Sequence, residues 1–170
     1  CLILYEGYRP LETQIDVSRA LRSLMKEDPE VMAAVSSAPW SIGWFIATGA
    51  SNHQQGYAVD VSLARVGSVE ERSTGGCRYL RVVKFDLYQM PTVIHELSRA
   101  AVTFTTPVGS NSPTAWKSAK LAPGMNEAAI ALQNYCTGAS LTPLASEWWH
   151  FNDLSARSSV SGNLGKGDFE

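Results

Sequence analysis

Apolar and polar positions alternate along this chain in short blocks, and the blocks predict the elements. Cys1-Leu2-Ile3-Leu4-Tyr5 is an apolar run that predicts a strand over residues 1–6, broken by Gly7-Tyr8-Arg9-Pro10. Val17, Ala20, Leu21, Leu24 and Met25 recur at i, i+3, i+4, i+7 and i+8, which is one apolar helix face. Thr13, with Asp16 three residues later, is the N-cap pair expected to start it. Asp28-Pro29 predicts a second helix to about Val35, because Pro suits a first helical turn. Trp40 to Ala47 is apolar and predicted extended, and Gly49 to Gly56 is a polar loop. From Tyr57 to Ala64 the period is two. Ala58, Asp60 and Ser62 share one face, and Val59, Val61 and Leu63 the other, so a strand carries Asp60 into a site.

Residues 65–80 are charged and Gly-rich, a surface excursion with Gly75-Gly76 as its turn. Leu80 to Leu87 has no assigned element, and Met90 to Val102 reads as weakly helical. Thr103 to Pro123 reads as loop, and Asn126 to Thr137 as a helix that Gly138 stops. Leu144 to Leu154 reads as a loop leading into a strand, and the Ser/Gly-rich stretch from Ser155 as a frayed tail. Strands at both ends with helices between them predict one α+β domain over residues 1–170, a central and mainly antiparallel sheet with helices packed against it.

Composition narrows the partners. A net charge of −2 and no Lys/Arg block argue against nucleic acid. No apolar run approaches the roughly 18 residues of a membrane span. Cys1, Cys77 and Cys136 form no Cys-x-x-Cys, so a cysteine-type structural zinc site is not expected; one Cys77–Cys136 disulfide is an option for an exported protein. The opening strand has neither Met nor a charged leader and reads as starting mid-protein, with any export signal lying upstream.

Two segments carry the chemistry. Ser51-Asn52-His53-Gln54-Gln55-Gly56-Tyr57-Ala58-Val59-Asp60 offers an imidazole and a carboxylate across a loop-to-strand junction, with Gly56 free to turn sharply between them. Glu147-Trp148-Trp149-His150-Phe151 offers a second imidazole and a second carboxylate. Zinc favours nitrogen and carboxylate oxygen in tetrahedral geometry, so one Zn²⁺ on His53, Asp60 and His150 would keep a fourth position for water, whose pKa it can lower to about 7. Glu147 is the candidate general base. Trp148 and Trp149 would supply low-dielectric walls. Arg9, on its Gly-Tyr-Arg-Pro turn, would face a developing oxyanion or a substrate carboxylate.

Ser51-x-His53-x-x-Gly56-x-Ala58-x-Asp60 followed by Glu147-x-Trp149-His150 resembles the zinc D-Ala-D-Ala peptidases, the VanX-type dipeptidases and VanY-type D,D-carboxypeptidases, and Gly7-Tyr8-Arg9-Pro10 resembles the segment with that family's catalytic arginine. The resemblance implies zinc on His53, Asp60 and His150, Glu147 as base, Arg9 at the transition state, and a fold shared with the hedgehog signalling domain. It implies hydrolysis of a peptide ending in D-Ala. The Glu-Trp-Trp-His segment looks like the dipeptidase side, which is preferred. The alternatives are a D,D-carboxypeptidase, an endopeptidase with an open groove, and a non-catalytic zinc-stabilised binding module. A dipeptidase would be cytoplasmic and a carboxypeptidase extracytoplasmic. Where the family's dipeptidases carry an Asp that holds the substrate amine, this chain has His95-Glu96, so either Glu96 is expected in that role or the amine is not read at all. Ser51, Trp148 and Trp149 complete the expected substrate contacts.

Overall fold

In the computed structural model, residues 1–159 are described. The strands are β1 (Leu2–Glu6), β2 (Ala58–Thr74), β3 (Cys77–Leu87), β4 (Thr142–Pro143) and β5 (His150–Asn152). The helices are α1 (Leu11–Glu27), α2 (Pro29–Ser36), α3 (Ile42–Phe45), α4 (Glu127–Gly138) and α5 (Leu154–Ser159). The fold is α+β. The sheet runs β1-β2-β5-β4, every pairing is antiparallel, and β3 pairs β2 beyond the body of the sheet. Val61, Leu63, Phe104, Leu132, Trp148 and Phe151 are buried in the core. No described helix is long and apolar enough to cross a membrane.

Strand register places the chemistry. Glu6 of β1 stands opposite Asp60 of β2, and Asp60 stands opposite His150 of β5. Directly opposed residues in an antiparallel pair point to the same face. Three polar side chains from three strands therefore form one row across the sheet.

Several elements differ from the expected ones. Helix α1 begins at Leu11 on the preset φ of Pro10 and has no side-chain cap, so Thr13 lies inside its first turn. It buries Gln14, Ser18 and Leu21, while Val17 and Leu24 stay exposed, because the face turned inward holds a polar contact rather than an apolar one. Trp40 to Ala47 is not extended; it contains α3, with Trp40 packed tilted on Phe45. Met90 to Val102 is not helical. Pro91 lacks a donor, and backbone groups here pair with distant partners, Arg99 N with Ala34 O at 3.1 Å and Ala101 O with Trp148 N at 3.0 Å. Leu80 to Leu87 belongs to β3, the return strand of a long hairpin arm. Gly75 and Gly76 make its two-residue turn at φ +58° and +81°, a conformation that favours glycine.

The cysteines do not pair. Cys77 is exposed at the arm's tip and Cys136 is buried in α4, where burial pushes its thiol up to about 11. Of the tail expected to fray from Ser155, residues 155–159 belong to α5, and 160–170 lie outside the described residues.

Candidate metal centre

The loop before β2 is wound tightly enough to fix His53. Gln55 N donates to Ser51 O at 3.1 Å, Gly56 N to His53 O at 3.1 Å, and Tyr57 N to Asn52 O at 3.2 Å. Gly56 makes the turn at φ +74°, as its position between the two candidate ligands demands. Four residues later Asp60 leaves β2, and β5 brings His150 alongside.

His53 Nε2, His150 Nδ1 and Asp60 Oδ1 converge in a near-equilateral triangle. The nitrogens are 3.0 Å apart, and each is 3.1 Å from the oxygen. All three residues are buried. The other nitrogen of each ring decides which atoms are bare. His53 Nδ1 lies 2.9 Å from the carbonyl oxygen of Gly7, which only accepts, so that nitrogen carries the hydrogen. His150 Nε2 lies 3.0 Å from Asn152 Oδ1. The polarity of that contact is set from a distance. Arg157 of α5 can only donate, so Tyr57, bonded to it, gives its own hydrogen to Asn52 Oδ1 at 2.7 Å; Asn52 Nδ2 then donates to Asn152 Oδ1 at 2.9 Å. Asn152 thus presents oxygen to His150, whose Nε2 must be the protonated one.

In the neutral rings, two nitrogen lone pairs therefore face a buried carboxylate oxygen that has no hydrogen-bond donor. Three acceptors this close, taken out of water, need a cation among them. A shared proton satisfies one pair; a metal ion satisfies all three. Burial alone would raise the Asp60 carboxyl, but once a proton is shared with His150 or His53, those contacts and the one with His95 outweigh it and hold Asp60 far below the usual carboxylate range. The third ligand is thus an anion.

The second oxygen of Asp60 faces a different group. His95 Nε2 lies 3.0 Å from Asp60 Oδ2, on a backbone bent to φ +64°, unusual for a non-glycine residue. Arg9 Nη2 lies 3.9 Å from the same oxygen. The guanidinium is held from behind: Nε donates to Glu6 Oε1 at 2.8 Å, Nη2 to Glu6 Oε2, and Nη1 to Gln14 Oε1 at 2.7 Å. Buried Gln14 is itself anchored through Nε2 to Ala47 O at 2.8 Å. Among the described residues, three of the five guanidinium N–H groups are thereby engaged, leaving two for a ligand. Glu6, Asp60 and His95 also form a ligand-like group, but Arg9 already supplies its positive charge.

Glu147 is buried beside the triangle, its Oε2 3.8 Å from His150 Nδ1. Burial pushes its carboxyl well above the usual range, and the Asp60 charge adds to this against the pull of Arg9 and a hydrogen bond from Trp149. The folded protein thus holds this proton more tightly than the unfolded chain does. Its contribution to stability is full below the unfolded pKa of about 4.3 and is lost as pH rises through the folded value. Metal-free Glu147→Gln, which cannot ionise, is expected to melt a few degrees above wild type at neutral pH and level with it at roughly pH 4. Equal melting temperatures at neutral pH, measured calorimetrically, would show that Glu147 ionises at no cost to the fold.

A cavity of about 470 Å³ opens onto these groups. Glu6, Arg9, Ser51, His53, Asp60, His95, Glu147, Trp149 and His150 line it, together with apolar Val17, Trp44, Phe45 and Ile46. Two expected substrate contacts are absent from its lining. Glu96 accepts instead from Ser98 Oγ at 2.7 Å, because the bend at His95 sends the two neighbours in different directions. Trp148 is core: its indole donates to Thr92 Oγ1 at 3.0 Å and packs edge-on against Trp149, which alone of the pair reaches the cavity. Glu6, Gln14, Asn52, Asn152, Tyr57 and Arg157 support the site without belonging to either of the two segments' expected ligand or catalytic positions. The Glu6-x-x-Arg9 spacing was the one local signal among them.

Fold and site together define an α+β protein with a buried His53–Asp60–His150 group able to bind a metal ion. No family model, curated protein or solved structure matches the chain.

Proposed function

We propose that this chain is a zinc D,D-peptidase that hydrolyses the D-Ala-D-Ala peptide bond, on the fold that the hedgehog signalling domain shares. The carrying observation is the triangle of His53 Nε2, His150 Nδ1 and Asp60 Oδ1, flanked by Glu147 on one side and Arg9 on the other. Ligands bound to tetrahedral zinc at 2.0–2.1 Å stand about 3.3 Å apart, close to the 3.0–3.1 Å found here, and a His₂Asp set leaves a coordination position open. When bound, zinc supplies Lewis acidity for the water and the scissile carbonyl.

The residues do the rest. Glu147 takes a proton from the attacking water and passes it to the leaving amine, work that suits a carboxyl whose hold on a proton is strengthened by burial. Arg9 turns its two remaining N–H groups toward the negative charge that develops on the carbonyl oxygen; Glu6 and Gln14 hold it there so that no reorganisation is needed during reaction. Trp149 and the apolar wall keep water out.

The Glu147-Trp148-Trp149-His150 segment supports the free dipeptide as substrate. One observation favours the second reading, a D,D-carboxypeptidase: Glu96, expected to hold the dipeptide's amine, does not line the cavity. Release of D-Ala from free D-Ala-D-Ala and from an N-acylated peptide ending in D-Ala-D-Ala, each with added zinc, tests both. Cleavage of the dipeptide is expected. Cleavage of the longer peptide alone would move the assignment to the carboxypeptidase, and a zinc-loaded protein that cleaves neither would overturn the peptidase reading.

A further inference from the structure

His95 reaches the metal centre without belonging to its ligand triangle. The segment that carries it is tied down at both ends. Thr92 Oγ1 accepts from the Trp148 indole at 3.0 Å, and Arg99 N donates to Ala34 O at 3.1 Å. Between these ties the backbone bends through φ +64° at His95, a left-handed conformation that persists where the surroundings fix it. The bend sets the ring edge-on to Trp149, centroids 6.0 Å apart, and brings Nε2 to 3.0 Å from Asp60 Oδ2. An ionised carboxylate only accepts, so that nitrogen carries the hydrogen. Glu6 Oε2, at 3.9 Å from the same nitrogen, is too far away to take it instead.

The two oxygens of Asp60 are thereby sorted. Oδ1 stands without a donor among the nitrogens of His53 and His150, and Oδ2 accepts from His95. Arg9 Nη2, 3.9 Å from Oδ2, lies beyond hydrogen-bond distance, so among the described residues the bond that pins this oxygen comes from His95. A carboxylate can give a cation one oxygen or both. Two oxygens from Asp60 would fill the coordination position that a His₂Asp set otherwise leaves open.

We propose that His95 is a positioning residue of this centre: its Nε2–H holds Asp60 Oδ2 and so makes Asp60 a one-oxygen ligand. The proposal rests on the zinc reading given above. Without the bond the carboxylate is free to rotate, present both oxygens and close the open position. The strained bend at His95 is then the means by which a half-exposed side chain is aimed at a buried oxygen.

The metal-free full chain, titrated with Zn²⁺ against a chromophoric chelator and with Co²⁺ followed by visible absorption, reads both effects. His95→Ala is expected to bind Zn²⁺ about 10–100-fold more weakly, the range for a lost hydrogen bond to a metal ligand. Its Co²⁺ absorption is expected to fall, because five-coordinate Co²⁺ absorbs less than four-coordinate. His95→Gly, which adopts a positive φ without strain and also lacks the donor, is expected to match it, so a distorted bend is not the cause. His95→Gln, whose amide N–H has a similar reach, is expected to restore affinity and spectrum. A ring kept only for its contact with Trp149 would leave the cobalt spectrum unmoved. Wild-type affinity and spectrum in His95→Ala and His95→Gly overturn the proposal and leave the zinc site standing, as does a His95→Gln that behaves like His95→Ala. A wild-type chain that binds neither ion overturns the zinc site itself, and the role of His95 with it.

Discussion

His53→Ala and His150→Ala are expected to purify without the single equivalent of zinc that the wild-type chain should carry. Each ring supplies one bare nitrogen to the triangle, and each is oriented by a hydrogen bond on its far side, to Gly7 O or to Asn152 Oδ1. Losing such a supporting bond costs about 10–100-fold in metal affinity, and losing the ligand itself should cost more. The effect reaches stability, because an ion that binds only the folded state stabilises it by mass action, about 4 kcal/mol at a thousand times its dissociation constant. A chelator should therefore lower the melting temperature of wild type and leave both variants unchanged. Elemental analysis showing full zinc in either variant would remove that histidine from the ligand set.

Glu147→Gln is expected to keep the metal and lose turnover by about 10²–10⁴-fold, the range for a lost general acid–base group. The same substitution is expected to make the metal-free protein more stable at neutral pH, because Glu147 is a carboxylate that this environment resists ionising. Loss of activity with a gain in stability marks a residue kept for chemistry. Normal turnover in a zinc-loaded Glu147→Gln would show that another group moves the proton.

The parts legible in the sequence were those that short spacings encode. Gly75-Gly76 announces a turn, and the run from Asn126 to Thr137 announces a helix, which starts at Glu127 with Asn126 as the cap that accepts from Ala129 N at 3.0 Å. His53, Gly56 and Asp60 stand close enough in sequence for a loop-to-strand junction to bring the ligands together, as it does. The unread parts depend on partners far away along the chain. Nothing local to Glu6 says that strand pairing will set it opposite Asp60, and nothing local to Asn152 says that its amide is oriented from Arg157 by way of Tyr57 and Asn52. Glu96 is the carboxylate that the resemblance places at the substrate's amine. The positive φ at His95 turned the chain so that the imidazole, not the carboxylate, meets the site. The face of α1 was misplaced for a related reason: Gln14 is buried to brace Arg9, so periodicity of apolar residues does not mark the inward side.

The row Glu6, Asp60, His150 has a consequence for the order of events as the chain leaves the ribosome. Its members come from the first, the second and the last of the five strands, and His53 joins them from a loop. Until β5 docks, the emerging polypeptide has two corners of the triangle, His53 and Asp60, and lacks the third. The group able to bind a metal ion is thus completed only when the last described strand joins the sheet.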